Sequence, residues 1–504
     1  MVSNVNAVPL LLGLDSSTTA CKALVFTPAG QVVAAGKAAH PLLKPRPGWH
    51  EQPAESWWQA ACAALRQAVA GIAPARLAGM AISVQRETFV ITDEAGEPRM
   101  NGLVWMDERA AEMLGEIDRA YGGERSHAES GKPLSANLTA AKLFWIRAHH
   151  PELVEGARVM DVHAFLVSRL CGQAVTSWGC ADPTGLFDMR RGAWNEALIR
   201  AAGFNPALFP PAVPVGAPLG RITPQAAEQT GLPAGLPVIA GVGDGQAAGL
   251  GVNAVSTGDV YLNLGTAVVS GTISESYRTG KAFRTSYAAI HGSYVLETVL
   301  LGGTYTIAWF LENFAPPGAR EAEMEQQAAQ VPPGCAGLVL LPYWNTAMNP
   351  YWDPSASGAV IGWKGIHGAA HFYRAILEGI AFEQRLHTLG VEAALGQAVE
   401  RYIAVGGGSR SPLWLQILAD ITGKPLARAA VDEASALGAA ILAGQGVGVF
   451  PTAQAGAAAM TRIEPEMVWP DAERGAWYRQ LYEEVYVGLY PALKTALGRL
   501  ARFV

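Results

Sequence analysis

Three groups of polar residues interrupt a chain whose hydrophobic content is 50%. In "LLLGLDSSTTACKALVF" (10–26), one carboxylate, Asp15, and four hydroxyls, Ser16, Ser17, Thr18 and Thr19, lie between two apolar runs. Backbone N–H groups and hydroxyls in a tight turn bind anionic oxygens, and a neighbouring carboxylate can hold a hydrated magnesium ion that neutralises them. That chemistry is a phosphate clasp. The same residues are also common in plain hairpin turns, where they hydrogen-bond their own backbone. In "GVGDGQAAGLG" (241–251), Asp244 ends an apolar run with a glycine on each side. A carboxylate at the C-terminal end of a buried strand faces the crevice where α/β proteins bind ligands. Flanking glycines would leave it room for a substrate hydroxyl, the setting of a general base. Capping of the following helix is the competing role. The third group ends two further apolar runs. "SVQRETFVITD" (83–93) carries Gln85, Arg86 and Glu87, and "LVWMDER" (103–109) carries Trp105, Asp107 and Arg109. Mixed donors and acceptors beside an indole suit a sugar or polyol, although a solvated loop with ion pairs has the same composition.

Glycine turns supply a second kind of anion site. "VGGGSRSP" (405–412) joins an apolar run to a helical one, so a ligand could approach the backbone closely and meet a helix N-terminus. "DVYLNLGTAVVSGTIS" (259–274) repeats the opening pattern, with Gly265 and Thr266 between two apolar runs. No GxxxxGK[ST] occurs, which excludes a Walker-type loop, and no GxGxxG follows the first strand. Neither a zinc-type His cluster nor a GxSxG elbow is present.

The elements that must position these residues alternate along the chain. Strand-length apolar runs at 77–84 and 236–245, the second running into glycines, and a helical pattern over 53–71 predict an α/β fold with buried sheets. With 504 residues, more than one core is expected. The two similar hairpins, half a chain apart, suggest two related domains that grip one phosphate chain from two sides, divided here as 1–255 and 256–504. The net charge of −6, without a basic block, argues against a nucleic-acid partner. Five scattered cysteines with no CxxC pair suit reduced thiols in a cytoplasmic protein. Asp15 breaks the first apolar run too early for a signal peptide or membrane span. A homodimer is compatible with the sequence.

Taken together, these motifs resemble the FGGY family of carbohydrate kinases from about residue 9 to about 490. "GLDSSTTACKALVF" is similar to the family's first phosphate motif, "LNLGTAVVS" to its second, and "AVGGGSRSPLWLQILADITGKPL" to its adenosine motif. "LTAAKLFWIRAHH" (138–150) and "GAVIGWKGIHGAAHFYRAILEGIAF" (358–382) resemble its two signature regions. The resemblance implies two actin-like, ribonuclease H-like domains around a central cleft, with ATP and Mg2+ against the second domain and a small sugar deep in the first. It makes Asp244 the base and places Asp15 near the metal. Thr18, flanked by Ser17 and Thr19, would hold phosphate with Gly265 and Thr266. Gly407, Gly408 and Ser411 would line the adenosine pocket. Gln85, Arg86, Glu87, Trp105, Asp107 and Gln246 would contact the sugar. The substrate signals are mixed. "QRET" and "NPYWDPSASG" lie closer to glycerol kinases, "VMDVHAFLVSRLCG" and the adenosine motif closer to pentulose kinases, and Asn137, Ala148 and Trp363 depart from the signatures. D-Xylulose is the first expectation and glycerol or another polyol the second. A non-catalytic ATP-driven switch, which the actin-like core also serves, is the alternative from another class; a switch has no need of a hydroxyl base such as Asp244.

Overall fold

The computed structural model describes residues 8–344 and 346–503. The apolar runs pair into two large sheets. The first contains β1 (Leu10–Ser16), β2 (Ala20–Phe26), β3 (Val32–Ala39), β4 (Leu77–Val84), β5 (Pro218–Arg221) and β6 (Pro237–Gly243), in the order β5-β6-β4-β1-β2-β3. Strands β1, β4 and β6 are parallel, and β1-β2-β3 form an antiparallel meander. The second contains β7 (Asp259–Leu264), β8 (Val268–Ser274), β9 (Arg284–Tyr287), β10 (Tyr294–Leu300), β11 (Arg401–Val405), β12 (Leu426–Ala429) and β13 (Ile463–Val468), in the order β9-β10-β8-β7-β11-β12-β13. Without the added edge strands, β3-β2-β1-β4-β6 and β10-β8-β7-β11-β12 have the same order and the same pairing senses. The repeat seen in the hairpins is therefore a repeat of whole five-stranded cores.

Three predicted elements keep nearly their predicted bounds. The run at 77–84 is β4, the pattern at 53–71 is α1 (Ala54–Val69), and β6 leads directly into α2 (Asp244–Gly251). α1 buries Trp57, Ala61, Ala64 and Leu65 against one face of the first sheet. A small four-stranded sheet and the helix Thr139–His149 form a lobe carrying the 85–109 segments.

One later helix packs across the division at 255/256. α3 (Ala369–Leu395) and α4 (Pro412–Thr422) belong to the second core, but α5 (Ala434–Gly446) crosses back. Ala436, Leu437, Ala440 and Ile441 of α5 share a core with Leu11, Leu24, Ala81 and Ile239 of the first sheet. Glycine makes this approach possible. A Cβ on Gly13 would lie 1.9 Å from the Ala436 carbonyl oxygen, and one on Gly438 1.9 Å from that of Ala247 in α2. Residues 436–460 thus pack on the first sheet although they come late in the chain.

Candidate active site

Three adjacent parallel strands end together. Asp15 of β1 pairs in register with Ser83 of β4, while Val242 and Gly243 of β6 pair with Ser83 and Val84. Asp15, the Gln85–Glu87 segment and Asp244 thus leave one sheet edge side by side, at the carboxyl ends where α/β ligands bind. Asp244 is the first residue of α2, and Gly243 holds the cap position. Its side chain keeps 39% of its accessible surface. Oδ1 accepts hydrogen bonds from the Gly245 N–H at 2.8 Å and from Arg86 Nε at 3.1 Å. Burial raises its pKa, the Arg86 charge opposes the rise and Glu297 adds to it. The flanking glycines do not leave open space as expected. A Cβ on Gly243 would lie 2.3 Å from Arg86 Cδ, and one on Gly245 2.6 Å from Glu297 Oε2. The glycines admit protein groups to Asp244.

Those groups form a chain of ion pairs between the domains. Arg86 Nη1 donates to both Glu297 oxygens at 2.8 and 2.9 Å. Arg284 reaches Glu297 at 2.7 Å and Glu87 at 2.6 Å, and the Tyr261 hydroxyl donates to Glu297 at 2.7 Å. Burial alone would raise the Glu297 pKa; the two guanidiniums override it and hold the carboxyl down to about 2. Glu297, Arg284 and Tyr261 were not anticipated from the sequence. Glu297 did carry a signal, as the one charge within the apolar run "YVLETVLL". Arg86 and Glu87 lie beside Asp244 as expected but face protein partners. Gln85 and Gln246 are both 2% exposed. Gln85 donates to Gln52 and accepts from Thr88, whereas Gln246 donates to Gly179 and Tyr287 carbonyls and leaves Oε1 buried without a partner.

Trp105 is half-buried, and its indole donates to Thr18 Oγ1 at 2.9 Å, tying the expected sugar loop to the first turn. Asp107 departs from the expectation. It is fully buried, and both oxygens are occupied by Arg109 and the backbone N–H groups of His50 and Arg109. This carboxylate braces its loop instead of offering a free face to a ligand. Lys142, also unanticipated, is completely buried and donates to the Val104, Asn137 and Trp105 carbonyls at 2.7, 2.9 and 3.3 Å. Burial lowers its pKa to about 8, against the opposing pull of Asp107.

The opening turn divides its hydroxyls between two roles. Ser17 Oγ closes the turn onto the Ala20 carbonyl at 2.9 Å, the ordinary hairpin role. Thr19 is exposed, and the N–H groups of Thr18 and Thr19 find no acceptor among the described residues. Asp15 is 6% exposed and accepts from Ser83 Oγ. Lys22, its cross-strand neighbour, directs its ammonium to Glu433 at 2.6 Å instead. With no ion-pair partner of its own, Asp15 has its pKa raised to about 7, first by burial and further by Asp244, although the Ser83 bond and the nearby Lys22 charge oppose the rise. A buried carboxylate without an ion-pair partner suits a cation, and Mg2+ needs only one or two such ligands beside water and phosphate. No group of three or more His, Cys, Asp or Glu side chains placed to hold a metal occurs among the described residues.

The second sheet offers backbone. Asn263 at the end of β7 pairs with Val405 at the end of β11, so the 265–267 and 406–408 turns are neighbours. Gly265 is half-buried and Thr266 exposed, and their N–H groups find no acceptor among the described residues. Gly407 is exposed, with nothing within 4 Å of a Cβ placed there. Gly408 and Ser411 serve the fold. A Cβ on Gly408 would lie 2.3 Å from the Trp414 ring. Ser411 Oγ caps α4 through the Trp414 N–H at 3.0 Å and donates to Glu325 at 2.6 Å. The N-terminus of α4 is therefore already satisfied, not open to a ligand as expected.

Two cores of one strand order, with carboxylates at one set of strand ends and glycine turns at the other, define a two-domain protein of the actin-like, ribonuclease H-like class. Residues 10–251 match the N-terminal domain of the FGGY family of carbohydrate kinases, and residues 260–446 match its C-terminal domain. The chain belongs to that family. It is 28% identical to a xylulose kinase of Bacillus subtilis, over 98% of this chain and 99% of the relative. It is 31% identical to a glycerol kinase of Geobacter sp., over 97% and 99%. The solved structure of a xylulose kinase from Rhodospirillum rubrum superposes with a TM-score of 0.89 at 29% identity, covering 97% of this chain and 99% of that one. No helix among the described residues is long and apolar enough to cross a membrane.

Proposed function

We propose that this carbohydrate kinase transfers the γ-phosphate of ATP to a hydroxyl of a small sugar, with D-xylulose the first acceptor and glycerol the second. The observation that carries the reading is the position of Asp244, partly open at the edge where three parallel strands end, beside the lone buried carboxylate of Asp15. Asp244 accepts the proton of the attacking hydroxyl through its solvent-facing side. Its raised pKa makes it a stronger base than an ordinary aspartate. Trp105 offers the sugar an apolar face. The Thr18–Thr19 and Gly265–Thr266 amides hold the phosphate oxygens, and Gly407 leaves room for the nucleoside. Asp15, through water, would hold Mg2+, which supplies charge neutralisation on the transferring phosphates. Positioning and charge compensation do most of the work in such a transfer. The relatives named as xylulose and glycerol kinases support both acceptor classes. A coupled ADP-release assay across pentuloses, hexuloses, glycerol, erythritol and gluconate tests the proposal. D-Xylulose is expected to give the highest kcat/KM; a polyol ahead of every ketose would replace it, and no stimulation by any acceptor would overturn the kinase reading of this site.

A further inference from the structure

Asp244 is held, through Arg86, from the second domain as well as the first. Its hydrogen-bond donor, Arg86, continues the strand β4 of the first sheet, and both oxygens of Glu297 in β10 of the second sheet grip the far end of that guanidinium. Glu297 is itself fixed from three directions. Tyr261 donates to one oxygen, Arg284 to the other, and no part of it reaches solvent. Arg284 then returns to the first domain through Glu87. The chain Asp244–Arg86–Glu297–Arg284–Glu87 crosses the domain boundary twice. Gly245 lets it close, since any side chain there would strike Glu297 and Tyr261.

We infer that Glu297 is a positioning residue for phosphoryl transfer, holding Arg86 so that Asp244 presents its free oxygen to the acceptor only while the two domains are together. The inference rests on Asp244 being the base and adds the element that aims it. The geometry assigns opposite tasks to the two ends of Arg86. Nη1 is spent on Glu297, and in the pose this fixes only Nε reaches Asp244, at the single oxygen Oδ1. Released from Glu297, the guanidinium is free to turn so that Nε and Nη2 take both Asp244 oxygens, the favoured bidentate arrangement, and a carboxylate so clamped no longer accepts a proton from substrate. Opening of the cleft draws β10 away from Arg86 and has the same effect. An open enzyme would then be a poor base toward water, which suppresses loss of ATP without acceptor.

The test compares Glu297→Gln, Glu297→Asp, Tyr261→Phe and Asp244→Asn with the parent, using D-xylulose or whichever acceptor of the panel turns over. Glu297→Gln should lower kcat on the order of 10²-fold, the scale of a misplaced reacting group. ADP affinity by calorimetry should stay within about twofold, because the nucleotide turns lie elsewhere. Glu297→Asp should recover part of kcat, and Tyr261→Phe should lower it by a smaller factor with an unchanged melting temperature. Near-parental kcat in Glu297→Gln, or equal loss of ADP affinity and activity with no recovery in Glu297→Asp, overturns the inference. Should Glu297→Gln fail to fold, Tyr261→Phe decides: unchanged kcat rejects the positioning role. Asp244→Asn separates the two readings. If it is inactive while Glu297→Gln is active, only the positioning role fails; if it keeps turnover, the base assignment itself fails.

Discussion

The two sheets share one strand order but equip their strand ends differently. The first ends in side chains that can carry charge, Asp15, Arg86, Glu87 and Asp244, grouped beside Ser83. The second ends in Gly265, Thr266, Gly406 and Gly407, where backbone amides, one hydroxyl and the side-chain amide of Asn263 are the polar groups and none carries a charge. A duplicated scaffold thus gives one half side chains whose proton affinity can be tuned, and the other half amides whose dipoles do not titrate. Proton transfer needs the first kind of group. Holding a polyphosphate of constant charge needs only the second.

The largest break in this comparison should come from Asp244→Ala, which removes the one base and should lower kcat by roughly 10²–10⁴-fold with ADP affinity retained. Next is Asp15→Asn, expected to cost about 10–100-fold in turnover at limiting magnesium and to weaken the magnesium dependence. Its stability effect has a definite sign. The folded pKa of Asp15 is raised to about 7, so the fold penalises ionisation. The penalty is absent below the unfolded value near 4, grows between there and 7, and is complete above 7. Asp15→Asn should therefore raise the metal-free melting temperature at pH 8, and the gain should vanish near pH 4. A gain that is the same at both pH values would mean the Asp15 charge is compensated. In the other sheet, Gly407→Val should raise the KM for ATP several-fold, on the order of 1 kcal/mol, and leave the acceptor KM unchanged. An equal rise in both would mean that the second set of turns is not confined to the nucleotide. The smallest effect belongs to Ser411→Ala. As a helix cap it should cost about 1 kcal/mol in thermal stability and leave the KM for ATP as it was; a clear rise would return Ser411 to the adenosine pocket.

How far the sequence could be read follows from what each residue depends on. β4, α1 and the β6–α2 junction were legible because burial periodicity and glycine are local signals. Asp15 and Asp244 stand out in the sequence because a carboxylate at the end of an apolar run is conspicuous, and the structure sets both on one sheet edge. Asp107 looked like a ligand because nothing in "WMDER" shows that Arg109 folds back onto it. The structural duties of Ser411 and Gly408 are invisible in the sequence because their partners, Glu325 and Trp414, meet them only in three dimensions. Glu297 and Arg284 lie about two hundred residues from the segment they grip, and no spacing rule reaches that far. The domain boundary was placed by the repeat, which describes strand order but not which sheet a later helix covers.

That helix has a consequence for how the chain comes into being. By the time residue 255 has left the ribosome, all six strands of the first sheet are present, and α1 can cover one face. The other face, with Leu11, Leu24, Ala81 and Ile239, waits for residues 436–460. At ordinary translation rates the wait is on the order of tens of seconds. During that interval the apolar sheet surface has only part of its cover, Ala247 and Leu250 of α2. The joint that lets the finished halves work together also prevents the first from being finished alone.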